Sequence, residues 1–190
     1  MHELERRASL ASPEETVRGM FLNDTLRTLK ELGEEALAAR CLRACGQEKF
    51  VDFFSYPIGL QCQMFALVLP TLAERYGDGE EALRQLGRRA AASFLGSPAG
   101  RMMLIVAQRN PKLLLGSLPS AYRVALNHGH IHIEWLEAKH GLMVVKHDYM
   151  PHLFQEGVLL GMLDAMKVPG VRVHGRSTGG LDSESDFSWE

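Results

Sequence analysis

The segment NHGHIHIEW carries a histidine at every second position, and a glutamate continues the same spacing. These residues are His128, His130, His132 and Glu134. Side chains two residues apart on a β-strand project from one face, and two imidazoles at that spacing can bind one ion. His147, in the next β-rich segment, is a candidate third nitrogen ligand. The row is therefore a candidate metal site, either for simple binding or for a metalloenzyme.

An ordinary half-buried strand explains the same row. Ile131, Ile133 and Trp135 alternate with the histidines and predict an apolar face turned toward a core, which leaves the polar residues in water. The HExxH and CxxC spacings that make a zinc site specific do not occur in the sequence. We favour the solvated face, expect no metal, and keep the histidine row as the alternative.

Other residue types suited to catalysis lack the right surroundings. Ser117, Ser120 and Ser177 do not have the strand-to-helix setting of a nucleophile elbow. The glycine-rich segment STGGLD, residues 177–182, lacks the lysine of a phosphate-binding loop and predicts a hairpin turn instead. These observations favour a non-enzymatic domain over an enzyme and leave the choice open.

Composition limits the partners and the compartment. The chain has 190 residues, of which 46% are hydrophobic and 23% charged, which is typical of a globular protein with a core. A net charge of -2, with scattered basic residues, gives no reason to expect nucleic acid or an anionic membrane as partner. No apolar run is long enough for a membrane span, and the polar N-terminal segment is unlike a signal peptide. Three cysteines, an odd number, suit no disulfide framework, so we expect a cytoplasmic protein.

Helical periodicity covers the first two thirds of the sequence. Ser12, Pro13 and Glu15 have the spacing of a helix start, with an N-cap, a first-turn proline and a capping-box carboxylate. Pro70 lies inside a strongly apolar helical segment, which it is expected to kink or divide. The expected helices span residues 12–32, 34–45, 56–77, 79–95 and 101–118, the last broken at Asn110-Pro111.

The hydrophobic period changes from about 3.6 to 2 after Pro119. Strands are expected within residues 122–135, 141–149, 170–175 and 186–190, with one more helix at 151–167. This order predicts an α+β fold, in which a helical N-terminal part packs on a four-stranded antiparallel sheet of strand–strand–helix–strand–strand order. Gly157 and Gly161 would give the last helix a smooth stripe against that sheet. We expect a single domain over 1–190, mainly helical over 1–118 and with the sheet over 119–190.

Many aromatic residues fall near the expected junction of helices and sheet. Rings in such positions usually form the core, and the sequence leaves open whether some also line a ligand cavity. The adjacent Phe53 and Phe54 belong to this expected core. As a candidate site for a small apolar ligand we take Phe94, Tyr122, Trp135, Tyr149 and Phe154.

Several segments resemble a known family over nearly the whole chain. They are VRGMFLNDTLRTL, FFSYPIGLQCQMF, ALRQLGRRAAASFLGSPAGRMM, LPSAYRVALN and the C-terminal YMPHLFQEGVLLGMLDAMKVPGVRVHG. They resemble a large paralogous family of unknown function described from myxobacteria. The C-terminal part is also similar to 4-vinyl-reductase-like and haem–nitric-oxide-binding (H-NOX) domains. The resemblance implies helices over a four-stranded antiparallel sheet and a cleft for haem, small aromatic molecules or acyl chains. It also implies that some members are adaptors or dimerise.

The residues that hold haem in such relatives are largely missing from this sequence. Haem-binding relatives carry a Y-x-S-x-R motif, and the matching segment here, Tyr149-Met150-Pro151-His152-Leu153, keeps only the tyrosine. The resemblance places the axial histidine on the helical part before the sheet, yet residues 101–127 contain none. Without these groups we expect no haem and no other cofactor. We expect a non-enzymatic sensor or adaptor for a small apolar ligand or a protein partner, with a homodimer among its expected assemblies.

Overall fold

The chain forms two compact units, the first ending at Ala82 and the second spanning Leu83–Glu190. The structure, a computed structural model, describes residues 2–190 and their side chains from Glu3 onward. Each unit has its own buried residues. The expectation of a single domain remains a prediction.

The first unit is mainly helical. Its elements are α1 (His2–Leu10), β1 (Thr16–Arg18), α2 (Gly19–Glu31), α3 (Glu35–Ala44), β2 (Ser55–Pro57) and α4 (Ile58–Tyr76). The two short strands pair antiparallel, with Val17 opposite Tyr56. Helix α4 passes through Pro70 without being divided. Apolar side chains of α2, α3 and α4 form the core, among them Leu22, Leu29, Cys41, Met64, Phe65 and Leu72.

The expected helix start at Ser12 was wrong, although its capping bonds form. The backbone N–H of Ser12 donates to Oε2 of Glu15 at 3.0 Å, and Oγ of Ser12 accepts from the N–H of Glu14 at 3.3 Å. These bonds close a turn that leads into β1 rather than into a helix. The helix begins at Gly19, because Thr16–Arg18 find backbone partners in β2.

The second unit contains the remaining helices. They are α5 (Gly79–Gly96, in this unit from Leu83), α6 (Pro98–Ala107), α7 (Pro111–Gly116), α8 (Leu118–Ala125) and α9 (His152–Ala165). The strand expected from Tyr122 was wrong, since Leu118, Ala121 and Tyr122 are buried at the spacing of a helix. Among residues 2–190 no single helix has the length and apolar character to cross a bilayer; α5 and α6 reach it only together, as a pair bent by 86°.

The sheet confirms the expected α+β fold and strand order. Strands β3 (His130–Glu137) and β4 (His140–Lys146) form one hairpin, and β5 (Arg172–Gly179) and β6 (Asp182–Ser188) form the other, with α9 between them in the chain. The four strands are antiparallel in the spatial order β3-β4-β6-β5. One face carries the buried side chains, which include Ile131, Met143, Val145, Ser185 and Phe187.

Helix α9 uses its glycines against α5, so their expected contact with the sheet was wrong. A Cβ at Gly157 would lie 2.0 Å from the carbonyl oxygen of Arg84, and one at Gly161 would lie 2.9 Å from that of Arg88. Gly87 on α5 faces the carbonyl of Phe154 in the same way. The two helices therefore approach at backbone distance, which only glycine permits.

Candidate functional site

A buried carboxylate, Asp148, joins α8 to α9 in the second unit. The hydroxyl of Tyr122 on α8 donates to its Oδ2 at 2.9 Å, and Nε2 of Gln155 on α9 donates to the same oxygen at 2.6 Å. Oδ1 accepts the backbone N–H of Met150 at 2.7 Å. The side chains are all buried, so these donors compensate the burial of one negative charge. We call Asp148 and these three partners the Asp148 junction.

The junction changes the acidity of Tyr122. Burial disfavours the phenolate, and the charge and hydrogen bond of Asp148 act in the same direction, so the pKa of Tyr122 lies well above its usual value. The tyrosine therefore keeps its proton and remains a donor at neutral pH. Such a group stabilises structure and is poorly suited to exchange protons with a substrate.

The segment that carries Asp148 is also fixed to the β5–β6 turn. The backbone N–H of Asp148 donates to the carbonyl of Leu181 at 2.9 Å, and the N–H of His147 donates to Oδ1 of Asp182 at 3.0 Å. Nζ of Lys146 donates to Oδ2 of Asp182 at 2.9 Å, and this bond is the main reason that the pKa of Asp182 is lowered. The chain between β4 and α9 is thus held by both helices and by the second hairpin.

Tyr149, which follows Asp148, lies between two histidine rings. Its ring centroid is 5.3 Å from that of His128 and 5.5 Å from that of His147, both in edge-to-face geometry. Tyr149 and His128 are buried, and both ring nitrogens of His128 are buried with them, whereas His147 is exposed. The contact brings His128 beside Tyr149, the tyrosine that matches the motif of haem-binding relatives, and the sequence alone did not predict this contact.

The histidine row divides at Gly129. That residue has a φ of 61°, a conformation that glycine adopts readily, and β3 begins one residue later. His130, His132 and Glu134 therefore share the exposed face, as expected. His128 lies outside the strand and is buried, so its placement in that row was wrong.

The neighbouring strand places no imidazole directly opposite His130, His132 or Glu134. Opposite His130, His132 and Glu134 stand Lys146, Val144 and Leu142. His147 lies beyond the end of β4, against Tyr149. Among residues 2–190, no three His, Cys, Asp or Glu side chains are grouped so that they could hold a metal ion.

The aromatic candidates for ligand binding separate into different places. Tyr122 bonds to Asp148, the residue before Tyr149, at the open end of the β3–β4 hairpin. Trp135 lies five residues along β3 from its start, about 17 Å away. Trp135 instead contacts Phe187 and Trp189 edge-on, and Nζ of Lys112 lies 4.7 Å from its ring centroid. The other two candidates are buried in the second unit: Phe94 and Phe154.

A second buried carboxylate, Glu156, joins α9 to α5 and β5, and it was missed. Its Oε2 accepts Nε of Arg84 at 2.6 Å, and its Oε1 accepts the backbone N–H of Gly175 at 2.7 Å. The Glu156 side chain is only 4% exposed. The available signal was a lone glutamate in the apolar segment HLFQEGVLLGM, because such a charge is buried only when it is paired.

Ser177 and the three cysteines do not have the settings of known nucleophiles. Ser177 lies in the pentapeptide GRSTG, but this segment ends β5 and enters a hairpin instead of a helix. Cys41, Cys45 and Cys62 are buried thiols of the first unit. Burial raises the pKa of the Cys41 thiol to about 11, so it is a weak nucleophile that packs as a small apolar group.

Comparison with known proteins gives a family for this chain. A family model described as a protein of unknown function, DUF2378, matches residues 10–190. No curated protein matches the chain.

Solved structures of H-NOX proteins are similar in fold. An H-NOX protein from S. oneidensis in the Fe(II)NO ligation state has 12% sequence identity and a TM-score of 0.69, covering 91% of this chain and 99% of its own. The Fe(II) unliganded H-NOX protein from K. algicida has 12% identity and a TM-score of 0.70, covering 91% and 96%. An oxygen-binding H-NOX domain related to soluble guanylate cyclases has 14% identity and a TM-score of 0.66, covering 91% and 95%. At such identities the likeness shows the fold alone.

Proposed function

Because this chain belongs to the DUF2378 family of proteins of unknown function and has an H-NOX-like fold, we propose that it is a non-enzymatic sensing or adaptor domain that works without haem. The observation that carries the proposal is the Asp148 junction. There the chain's own carboxylate takes the hydrogen-bond donors that a ligand's carboxylate would need. A domain with its donors occupied in this way can act as a sensor or present a surface to a partner without binding a porphyrin.

The residues at the junction do not fit a haem. Propionates are held by cations and by free hydrogen-bond donors, but the buried charge here is negative, and Tyr122 and Gln155 already donate to it. Pro151 and Leu153 stand where the motif of haem-binding relatives has serine and arginine, and neither side chain donates a hydrogen bond. A propionate placed there would meet the charge of Asp148 and gain no cation.

His128 is the residue that could still support haem binding. It is the buried histidine among the described residues, and its ring packs edge-on against Tyr149. A neutral imidazole is the commonest protein ligand of haem iron. Were this chain to bind haem, His128 would be the candidate iron ligand.

Haem titration with absorbance spectroscopy checks the cofactor part of the proposal. We expect purified protein, produced with a haem precursor in the medium, to show no stoichiometric Soret band and to take up hemin only weakly. One haem per chain, lost in His128→Ala and kept in the exposed control His130→Ala, would overturn the proposal. Weak binding that both variants reduce equally would indicate adsorption to surface histidines.

Native mass spectrometry separates the two roles that the proposal leaves open. The buried aromatic residues Tyr149 and Phe154 support sensing of a small apolar ligand. A stoichiometric organic molecule, identified after solvent extraction, would assign the sensing role. An empty chain whose stability no apolar extract changes would assign the adaptor role. The same spectra give the oligomeric state.

A further inference from the structure

Helix α6 presents an apolar stripe to solvent. Met102, Ile105 and Val106 are 60%, 68% and 62% exposed. Their spacing of three and four residues places them on one face of the helix. Single exposed apolar residues are ordinary, but a contiguous group of them marks a binding surface. We call these three residues the α6 stripe.

The backbone holds the stripe in a defined position. Helix α6 starts at the N-cap Ser97, whose Oγ accepts the N–H of Gly100 at 3.1 Å. It ends at Gln108 and Arg109, two consecutive non-glycine residues with φ of 47° and 62°. Such a pair is strained and persists only where the surrounding structure fixes it. Asn110 then caps α7 at once, so the stripe is part of an ordered corner.

The sequence on both sides of the stripe is basic. Residues 82–133 contain seven basic and no acidic residues, in a chain of net charge -2. Some of this charge is compensated, since Arg84 pairs with Glu156 and Arg88 with Asp164. Arg101 and Arg109, at the two ends of α6, are exposed and form no ion pair within residues 2–190.

We infer that the α6 stripe is the docking site of an acidic amphipathic helix from a partner protein. The partner's apolar face would cover the three side chains of the stripe, while its carboxylates would lie near Arg101 and Arg109. A net negative charge and the absence of aromatic residues from α6 make an anionic membrane a poorer match. The inference rests on the proposed adaptor role and names the chemistry of its partner.

Two synthetic peptides test the inference. Both are fluorescently labelled helical peptides with one face of leucines. The polar face carries glutamates in the first peptide and lysines in the second. Fluorescence anisotropy with the full chain should show the glutamate peptide binding at least about tenfold more tightly, with an affinity that falls as salt rises. Ile105→Gln and Val106→Gln should each weaken it about tenfold.

Charge variants and a matched surface variant complete the experiment. Arg101→Glu and Arg109→Asn should each weaken binding of the glutamate peptide and reduce the salt dependence of its affinity. Asparagine is chosen at position 109 because it tolerates the positive φ found there. Leu136→Gln removes an exposed leucine from β3, outside the stripe, and should leave binding unchanged. Tryptophan fluorescence confirms that each variant is folded.

Other results would overturn the inference. They are equal affinity for the two peptides, no binding of either, or loss of binding in Leu136→Gln as well as in Ile105→Gln. Binding to phosphatidylserine–phosphatidylcholine vesicles in place of the peptide would make the occupant a membrane. A dimer that Ile105→Gln dissociates in sedimentation would make it a second copy of the chain. None of these results changes the haem titration, so failure of the docking site and failure of haem-free function are distinguishable.

Discussion

The hydroxyl of Tyr122 lies 2.9 Å from Oδ2 of Asp148, and both side chains are buried. This bond joins α8 to the segment that leads into α9, one residue before Tyr149. Asp148 thus accepts donors from both helical segments within the second unit. Both tryptophans, Trp135 and Trp189, lie in the second unit. Tryptophan fluorescence therefore reports how much this bond contributes to the stability of that unit.

Removing the carboxylate should destabilise the second unit more than removing one of its donors. Tyr122→Phe deletes one hydrogen bond and should lower the free energy of unfolding by about 1 kcal/mol. Asp148→Ala leaves at least three buried donors without this acceptor and should cost about 3 kcal/mol. Urea unfolding followed by tryptophan fluorescence measures both. Tyr76→Phe in the first unit is the control, and equal losses for the two junction variants would contradict the assignment.

The raised pKa of Tyr122 predicts a loss of stability at alkaline pH. In the unfolded chain this tyrosine ionises near pH 10, as an unperturbed phenol does. In the folded protein it keeps its proton to higher pH, because burial and Asp148 raise its pKa. The unfolded state therefore gains stability above pH ~10, by up to about 1.4 kcal/mol per pH unit, until the folded pKa is reached.

A comparison of wild type with Tyr122→Phe isolates this effect from other alkaline titrations. The phenylalanine variant has no group to ionise at this position. The difference in free energy of unfolding between wild type and variant should therefore be constant below pH ~10 and decrease above it. Urea midpoints followed by tryptophan fluorescence give the difference at each pH. A constant difference from pH 8 to about pH 11 would show that burial does not hold the proton on Tyr122.

The sequence predicts the sheet better than the sites because strand alternation is a strong local signal. The exposed His130 and the buried Ile131 follow directly from it. The same reasoning failed at Tyr122, where alternation continues over residues that bury a helical face. Local patterns do not show which backbone partner a segment will find, and for that reason the capping box at Ser12 leads into a strand.

Burial of single residues was harder to predict, since it depends on contacts between distant segments. Phe53 and Phe54 were expected in the core, yet they are 76% and 63% exposed. Their turn is held by Nη1 of Arg18, which donates to the carbonyl of Phe53 at 2.9 Å, a bond between residues far apart in sequence. Asp148 and Glu156 went unrecognised for the same reason, because their donors come from other elements.

The glycine contact between α5 and α9 predicts a large difference between two substitutions in one helix. A Cβ at Gly87 would lie 2.0 Å from the carbonyl oxygen of Phe154, so Gly87→Ala must push the helices apart and should cost at least about 2 kcal/mol. Gly96, at the end of α5, has nothing within 4 Å of its Cβ position. Gly96→Ala should be neutral or slightly stabilising. Thermal unfolding measures both, and similar effects would show that the helices do not meet at Gly87.

Burial should decide how much two ion pairs contribute to stability, one between α5 and α9 and the other between β5 and β6. Glu156→Ala leaves Arg84 and the N–H of Gly175 without their buried acceptor and should cost about 3 kcal/mol. Glu156→Gln keeps an oxygen for Gly175 and should cost less. Glu184→Ala is the matched control, because its partner Arg176 is 72% exposed and such pairs contribute about 0–1 kcal/mol. Urea unfolding followed by tryptophan fluorescence measures the free energy of unfolding of each variant. If Glu156→Ala and Glu184→Ala lower it equally, the buried network does not anchor α9 to α5.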